Sequence, residues 1–470
     1  MGRLGRPFRF CRRFGGDCVL IKSGKSWTYA IFTVVVLSSA LGNLSQTGLN
    51  AMLVTVCGEL GIATGVGQWL TTAYMFGLGA VVPLASYLMG RFRLKDLTVL
   101  AIFIFIAGAA IAAAASSFPV LLAGRIVQAI AAGILLPLLQ TIAMTRFPDG
   151  RKATAMGISG IAMGFSPNIG PTIGGAMVDA FGWRSFFVLL AALSAIILAF
   201  CVLAIKRHDD ASLSVSLDFL SFVLCTLGFG GILMGCSEAS SHPLTSPFIW
   251  GPIVVGVLCL LAFAVRQHKV EDSLIDLTIF GDSSYRVGFW AQCFLCASFM
   301  GITLLVPLFI EDFRGGTALE AGMVLLPGTV AALIMNPLAG YLTDKIGVRP
   351  VAVVGGLFLS VGAVSMVFMD EATPLWLVMT LQGIRAVGVS TLIGPLTSWS
   401  LMGLSGKKTS DGSAFGLAAR QTAASVGTAL MVMCVEGLPM LTGGAAYHAA
   451  FGCSAVFAVA TLICILARVR

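Results

Sequence analysis

Arg125 and Gln128 are polar residues within a long apolar stretch of the sequence. A guanidinium group stays charged at every physiological pH, and neither lipid nor an apolar core can solvate it. Gln128 follows Arg125 by about one helical turn, so both side chains share one face of a predicted helix. The pair predicts the lining of a polar cavity, where Arg125 binds an anionic group or displaces a proton from a nearby acid. A structural arginine, satisfied by helix carbonyl groups, is the alternative.

A second apolar stretch, residues 164–175, reads GFSPNIGPTIGG and contains two prolines and four glycines. Proline removes a helical hydrogen bond and bends the helix, and glycine lets neighbouring helices approach closely. We therefore predict a kinked helix that forms a flexible, tightly packed contact between two halves of the molecule. Packing without a moving role is the alternative. The residues concerned are Gly164, Pro167, Gly170, Pro171, Gly174 and Gly175.

The composition identifies the class of protein. The 470 residues are 57% hydrophobic and 11% charged, with a mean hydropathy of +0.96. Soluble domains carry about 25% charged residues, so we predict an all-α polytopic membrane protein surrounded by lipid. No stretch is long enough for a soluble domain and no P-loop is present, which argues against an ATP-driven pump or a sensor kinase. The scattered cysteines and histidines and the lack of a catalytic constellation predict no cofactor, no metal, no enzyme activity and no nucleic-acid partner.

Apolar segments of about 20 residues, the length that crosses a bilayer, predict fourteen transmembrane helices. A twelve-helix alternative makes the middle pair a loop, but both segments are too apolar for that. The predicted spans are 28–50, 66–89, 97–116, 119–143, 154–178, 183–205, 217–236, 249–265, 287–310, 321–343, 350–369, 375–402, 412–435 and 448–467.

The basic residues predict the orientation of these spans. The chain has 29 lysines and arginines, three of which lie within the predicted spans. With the N-terminus in the cytoplasm, all the others lie on the inner side except Arg184 and Arg314, which lie on the outer side. We expect both termini in the cytoplasm and a bacterial inner membrane as the location. The predicted organisation is a basic tail at 1–27, a six-helix bundle at 28–206, two linker helices at 207–285 and a second six-helix bundle at 286–470.

An internal repeat relates the two bundles. Residues 86–95 read SYLMGRFRLK after the second span, and residues 340–349 read GYLTDKIGVR after the second span of the last six. Each half continues to a span with a buried arginine, Arg125 or Arg385. Parallel repeats of this kind are one arrangement of transporters, in which the substrate site lies between the halves.

At this point the chain resembles the major facilitator superfamily, and within it the fourteen-helix drug:proton antiporters, over residues 28–468. GYLTDKIGVR fits the superfamily loop pattern, and GRIVQAIAAGILLP at 124–137 fits the fourth-helix pattern. GFSPNIGPTIGG fits the fifth-helix pattern ending GPxxGG, which resembles an exporter signature, and FGWRSFF at 181–187 resembles the turn after that helix. The resemblance implies a monomer that exports small molecules by alternating access in exchange for protons.

The resemblance also implies roles for particular residues. Asp344 would form a cytoplasmic gate by pairing with an arginine or with the N-terminus of the next helix, where a negative charge is favoured. Lys345 and Arg349 would hold the loop at the inner surface, with Arg91 in the first copy of the loop. That copy is degraded, because Gly90 occupies its acidic position. The cavity and coupling set is Arg125, Gln128, Asn50, Thr47 and Arg385.

One departure concerns proton coupling. The family has an aspartate in the first helix, where this sequence has Ser45, although Thr47 and Asn50 are kept. No Asp or Glu falls at mid-depth in any predicted span, and Glu311, Asp312 and Glu320, which lie near the outer ends of spans, are the predicted proton carriers. Because arginines are the only charges predicted to be buried, we expect a neutral to positive cavity, with neutral or anionic amphipathic substrates rather than dicationic ones.

Three functions are compatible with this sequence. The first is proton-coupled export of hydrophobic or amphipathic compounds, as in multidrug efflux. The second is export of one endogenous metabolite or lipid-like anion. The third is a membrane scaffold or sensor that transports nothing, which should tolerate substitution of Arg125.

Overall fold

The computed structural model describes residues 13–14, 17–18, 25–205, 218–238, 246–270, 273–437 and 443–469. Most of the predicted basic tail and the polar break at 206–216 lie outside these residues. Within the tail, strands β1 (Arg13–Phe14) and β2 (Asp17–Cys18) pair in antiparallel fashion, with Arg13 opposite Cys18. All other regular elements among the described residues are helices.

Three groups of helices follow one another along the chain. The first half comprises α1 (Lys25–Leu60), α2 (Thr64–Gly67), α3 (Trp69–Arg91), α4 (Leu94–Ala113), α5 (Phe118–Arg146), α6 (Lys152–Gly160), a π-helical turn (Ile161–Phe165), α7 (Ser166–Phe181) and α8 (Trp183–Ala204). The central pair is α9 (Phe219–Glu238) and α10 (Pro247–Gln267). The second half comprises α11 (Ser283–Leu308), a π-helical turn (Phe309–Phe313), α12 (Ala318–Ile346), α13 (Val348–Met366), α14 (Leu375–Met402), α15 (Lys407–Val432), a π-helical turn (Met433–Gly437) and α16 (Gly444–Arg468).

Twelve helices in the described part of the chain are long and apolar enough to cross a membrane. The central pair is among them, so these segments are helices rather than loop. Two of the fourteen predicted spans are outside this set. Span 154–178 is divided between α6, a π-helical turn and α7, because a glycine- and proline-rich sequence interrupts the regular hydrogen bonding. Span 412–435 falls on α15, which is continuous but rich in Gly, Ser and Thr.

The same packing pattern occurs twice. In the first half α1 packs on α7, α3 on α5, and α4 on α5 and α8. In the second half α11 packs on α15, α12 on α14, and α13 on α14 and α16. The repeat seen in the sequence is therefore also a repeat of contacts between helices.

The two halves meet along two seams. In the first seam α6 packs against α12, and in the second seam α15 packs against α3. Helix α9 lies against both α3 and α15, and α10 packs on α9. The central pair thus lies alongside the second seam.

Glycine makes the first seam possible. A Cβ atom on Gly157 would overlap the carbonyl oxygen of Asn336 and lie 3.0 Å from the Cα atom of Gly340. These are backbone atoms, which cannot move aside as the end of a flexible side chain can. The two helices therefore approach at a distance that only glycine allows.

We predict that Gly157→Val prevents the first seam from closing while each half keeps its own packing. The added methyl groups would overlap the backbone of α12, whereas the contacts within the first half are unchanged. Hydrogen–deuterium exchange of the amides at 152–158 should rise, with an unchanged yield of folded protein. Gly452→Val is the matched control, because a Cβ atom at Gly452 meets open space. Equal exchange in the two variants would contradict the prediction.

Candidate functional site: two seams, three buried arginines and a cavity

Arg125 is completely buried in the first half. Its Nη1 atom donates to the carbonyl oxygen of Ser45 at 2.9 Å, to the hydroxyl of Ser45 at 2.7 Å and to the side-chain oxygen of Gln128 at 3.3 Å. Its Nε atom donates to the carbonyl oxygen of Leu70 at 3.4 Å, and its Cζ atom lies 4.3 Å from the ring centre of Tyr74. The guanidinium group is thus surrounded by neutral groups of α1, α3 and α5.

This geometry gives the first-helix departure a physical meaning. Ser45 stands where the resemblance expects an aspartate, and Ser45 is the residue that Arg125 contacts most closely on α1. An aspartate there would form an ion pair, whereas the serine leaves the charge of Arg125 without a counter-ion. Among the described residues, no carboxylate lies within 4.0 Å of a nitrogen of Arg125, Arg385 or Arg420.

The other predicted cavity residues lie elsewhere. The Thr47 hydroxyl donates to the carbonyl oxygen of Asn43 at 3.3 Å, and Asn50 accepts from Thr71 at 3.2 Å. Arg385 is buried in the second half, where its Nε atom donates to Gln382 at 3.0 Å. The predicted set therefore does not form one cluster, and Arg125 and Gln128 are the two members in contact.

The glycine- and proline-rich helix packs mainly within its own half. A Cβ atom on Gly170 would overlap the Thr47 hydroxyl, and one on Gly174 would overlap the carbonyl oxygen of Gly48, so α7 is pressed against α1. Gly164 faces Asn336 of α12, in the second half. The predicted contact between halves is thus made by Gly164, whereas Gly170 and Gly174 contact α1 in this conformation.

The other predicted residues of this glycine- and proline-rich segment are Pro171, Gly175 and Pro167. Pro171 lies inside α7, and Gly175 has only Ala51 near the position of an added Cβ atom, at 4.0 Å. Pro167 is part of α7, but its side chain lies outside the described part of the structure.

Asp344 joins the two halves at the first seam. Its carboxylate accepts from the amides of Ala153 at 3.1 Å and Thr154 at 2.7 Å, and from the Thr154 hydroxyl at 2.6 Å. These are the first residues of α6, whose free amides and helix dipole favour a negative charge. The prediction named an arginine or the next helix as the partner. The partner is instead a helix of the other half, because the end of α12 lies against the start of α6.

The basic residues predicted beside this gate lie at the surface. Lys345 places its ammonium group 4.6 Å from the ring centre of Tyr341. Arg349 and Arg91 are exposed, with Arg91 in the last turn of α3. None of the three donates to Asp344.

The second seam has a carboxylate that the sequence analysis missed. Asp411 of α15 is completely buried and accepts a short hydrogen bond from the Ser86 hydroxyl of α3 and a 3.0 Å bond from the amide of Asp276. Gly90 occupies the acidic position of the loop motif at the end of α3, so α3 has no counterpart of Asp344 there. The carboxylate of the second seam comes from α15 instead. The predicted span begins one residue later, at 412, which places Asp411 in a loop. The sequence feature that could have indicated a buried acid is that Asp411 is followed directly by small residues, DGSA at 411–414.

Arg420, to which the sequence analysis assigned no role, lies between the halves. Its Nη1 atom donates to the side-chain oxygen of Gln292 on α11, and its Nη2 atom donates to that of Gln140 on α5 at 3.2 Å. A small cavity of about 10 Å³, room for one water molecule, adjoins this group. Gln140, Gln292, Ser413 and Arg420 are among the residues that line it.

A larger cavity of about 290 Å³ lies further along α3 and α15. It is lined by α1, α3, α11, α15 and α9 of the central pair, and among the described residues no Asp, Glu, Lys or Arg lines it. It involves α3 from Trp69 to Phe76, whereas Ser86 in the second seam lies about 15 Å further along that helix. The cavity is therefore displaced from the end of the molecule where both seams are closed, which we call the closed end.

The predicted proton carriers are outside this cavity. Glu311 and Asp312 are exposed in the π-helical turn after α11. Glu320 accepts from the amide of Thr317 at 2.8 Å, and its own amide donates to the Thr317 hydroxyl at 3.3 Å. This reciprocal pair caps the start of α12, which is a structural role.

We predict that Asp344→Asn loosens the closed end without lowering the yield of folded protein. A carboxylate on a helix N-terminus contributes about 1 to 2 kcal/mol, so exchange of the Ala153 and Thr154 amides should accelerate about tenfold. Asp149→Asn is the matched control, because Asp149 precedes α6, is exposed and pairs with Lys152 at 2.7 Å. Its pKa is lowered by the hydrogen bond from Lys152, which belongs to the same half of the molecule. If Asp344→Asn lowered the yield of folded protein as much as it lowered the protection of these amides from exchange, a gate at Asp344 would be excluded.

Comparisons with known proteins agree with this architecture. Residues 35–432 match the family model of the Major Facilitator Superfamily. A Bacillus subtilis protein named as the uncharacterized MFS-type transporter YcnB is 31% identical over 445 residues, which cover 94% of each chain. The Bacillus subtilis lincomycin resistance protein LmrB is 32% identical over 405 residues, which cover 86% of this chain and 84% of that protein.

Two more distant matches are a sequence relative and a solved structure with the same fold. The probable multidrug resistance protein EmrY of Escherichia coli is 25% identical, over 87% of this chain and 80% of that protein. The solved structure of the proton:xylose symporter XylE superposes with a TM-score of 0.65 at 14% identity, over 95% of this chain and 97% of that chain. The protein is therefore an integral membrane transporter, not an enzyme, and it belongs to the major facilitator superfamily.

Proposed function

We propose that the protein exports hydrophobic or amphipathic small molecules by alternating access, in exchange for protons. The observation that carries this proposal is the combination of a closed end, joined by Asp344 and Asp411, with an uncharged cavity displaced from that end. Alternating access requires that one side of a central site is sealed while the other is accessible. Relatives named for lincomycin resistance and multidrug resistance support export of drug-like compounds.

The placement in the membrane follows from the same features. We propose that the chain crosses the membrane fourteen times, with α6–α7 and α15 as crossings in addition to the twelve more apolar helices. The closed end is then the cytoplasmic one, both termini lie in the cytoplasm, and the membrane is the inner membrane of a bacterium. The protein acts as a monomer, with the predicted bundles as its moving parts.

The lining of the large cavity restricts the substrates. The described part of the chain contributes no acidic side chain that could bind a cation there. Three methionines contribute flexible, polarizable surface: Met75, Met234 and Met300. Such a surface adapts to apolar molecules of different shape. We propose that neutral and anionic amphipathic molecules are preferred over dicationic ones.

Export of one endogenous metabolite or lipid-like anion is the second candidate. The observation that favours it is the set of buried arginines without carboxylate partners among the described residues. A non-transporting scaffold is disfavoured. Burying the charge of Arg125 costs desolvation free energy, and a scaffold has no use for that buried charge.

We predict gradient-driven uptake by everted membrane vesicles, measured with a lipophilic cation, a neutral dye and an amphipathic anion. An imposed proton gradient should accelerate uptake of the dye and the anion, and Arg125→Ala should abolish that acceleration. Ethidium uptake as fast as that of the lipophilic anion would contradict the charge preference. Uptake that ignores the gradient would contradict proton coupling, and no uptake of any compound would contradict multidrug-type export.

Asp411 is our added candidate for proton coupling, beside the sequence-predicted Glu311, Asp312 and Glu320. Burial disfavours the charged form of a carboxyl group, and opening of the second seam would expose Asp411 to water. The charged groups that act on it are Lys407 and Asp276, and Asp276 pairs with Lys408 at 3.5 Å. Opening of the closed end would therefore release a proton to the cytoplasm.

We predict that Asp411→Asn uncouples transport from the proton gradient. The amide keeps an acceptor for Ser86 but cannot ionise, so uptake of the neutral dye should continue and no longer respond to the gradient. Ser86→Ala is the control that retains the carboxylate and should keep the response. Glu311→Gln and Asp312→Asn, run beside them, test the sequence-predicted carriers. An unchanged gradient response in Asp411→Asn would exclude Asp411 from coupling.

A further inference from the structure

We infer that Arg420 binds the anionic head group of an amphipathic substrate when the closed end opens. The inference rests on the proposed export function and adds a binding group of stated chemistry to it. Its ligands are organic monoanions with a carboxylate, sulfonate or phosphate group and an apolar tail.

Arg420 differs from the other two buried arginines in what contacts it. Arg125 is bonded by groups of the first half, and Arg385 is bonded by Gln382 of its own helix. Arg420 lies on α15 of the second half and donates to Gln140 on α5 of the first half. Any movement that separates the halves therefore changes the surroundings of Arg420 directly.

The two acceptors of Arg420 occupy the positions of a bound anion. Gln292 places its amide oxygen on Nη1, and Gln140 places its amide oxygen on Nη2. Two oxygens on the two terminal nitrogens of a guanidinium group are the arrangement that a carboxylate or phosphate makes by itself. Neutral amides thus stand in for an anion, but they do not neutralise the charge.

Both amides are oriented by further hydrogen bonds. Gln292 donates to the Ser400 hydroxyl at 3.0 Å, and its oxygen also accepts from Thr397 at 2.8 Å. The oxygen of Gln140 accepts from Ser413 at 3.0 Å. These contacts aim both carbonyl oxygens at Arg420, so the guanidinium group is presented in a fixed direction between the halves.

Opening of the closed end would remove one of the two acceptors. Gln140 moves with α5 while Arg420 and Gln292 move with the second half, so Nη2 loses its partner. A buried guanidinium group that loses an acceptor needs water or an anion in its place. The substrate head group would enter from the cytoplasm, which is the side from which an exporter loads.

The same helix leads from this cation to the large cavity. Arg420 lines the small cavity, and Gln421, Ala424 and Thr428 of α15 line the large one. One helical turn separates Arg420 from Ala424, about 6 Å along the axis. An amphipathic anion can therefore place its head group at Arg420 and its apolar tail against the uncharged lining.

The test compares a fluorescent long-chain carboxylate with its neutral primary amide in wild type, Arg420→Gln and Arg420→Lys. A charge-assisted bidentate contact corresponds to about 10- to 100-fold in affinity. Arg420→Gln should raise the KM for carboxylate uptake by this factor and leave uptake of the amide within about twofold. Arg420→Lys should fall between, because lysine keeps the charge without the fork. Arg286→Gln, which removes an exposed charge at the start of α11, is the control and should change neither.

Gln140→Leu is a second variant with the opposite expected sign. It removes the amide that competes with the substrate, so the carboxylate should bind more tightly while the amide probe is unaffected. Equal effects of Arg420→Gln on both probes, or no effect on either, would overturn the inference. If wild type transports neither probe, the export function fails, and equilibrium binding of the carboxylate to purified wild type and Gln140→Leu still decides the inference. Equal affinities in that measurement would overturn it.

Discussion

The bond between Asp344 and the start of α6 is the interaction on which the closed conformation depends. One carboxylate satisfies two amides and one hydroxyl of the opposite half. It can do so only because Gly157 and Gly340 let α6 and α12 approach at backbone distance. Electrostatics and packing therefore act at the same place, and loss of either should open the same seam.

The second seam reaches a similar result with different chemistry. Asp411 comes from the buried part of α15 and accepts from a serine of α3, so its carboxylate is enclosed rather than placed on a helix N-terminus. An ionised group on a helix N-terminus is stabilised by the dipole, whereas an enclosed one is disfavoured by desolvation. The two seams are therefore joined by carboxylates in different surroundings.

Helix α9 of the central pair lines the large cavity. Thr226 of α9 donates to the carbonyl oxygen of Ala80 at 3.1 Å, and Thr72 and Ser237 lie 3.1 Å apart, so α9 is bonded to α3 at two levels. The same helix contributes Met234 to the large cavity. Helix α9 therefore forms part of the cavity wall beside the second seam. Outside this seam, Arg266 of α10 forms an ion pair with Asp218 at 2.9 Å, and its hydrogen bond lowers the pKa of that carboxyl to about 2. This pair joins the end of α10 to the residue that precedes α9.

Local properties of the sequence determined the class of protein, most of its helices, the internal repeat and Asp344 as a candidate gate residue. Hydropathy, helical spacing and the motif around Asp344 are all contained within short segments. The pairing of residues was decided by the tertiary structure, because Asp344 and Thr154 are 190 positions apart and Gln140 and Arg420 are 280 apart. No local pattern shows that α12 ends against α6, that Ser45 faces Arg125, or that Asp411 is enclosed by α3. Those facts depend on how two similar bundles pack face to face, and that packing brings the ends of distant helices together.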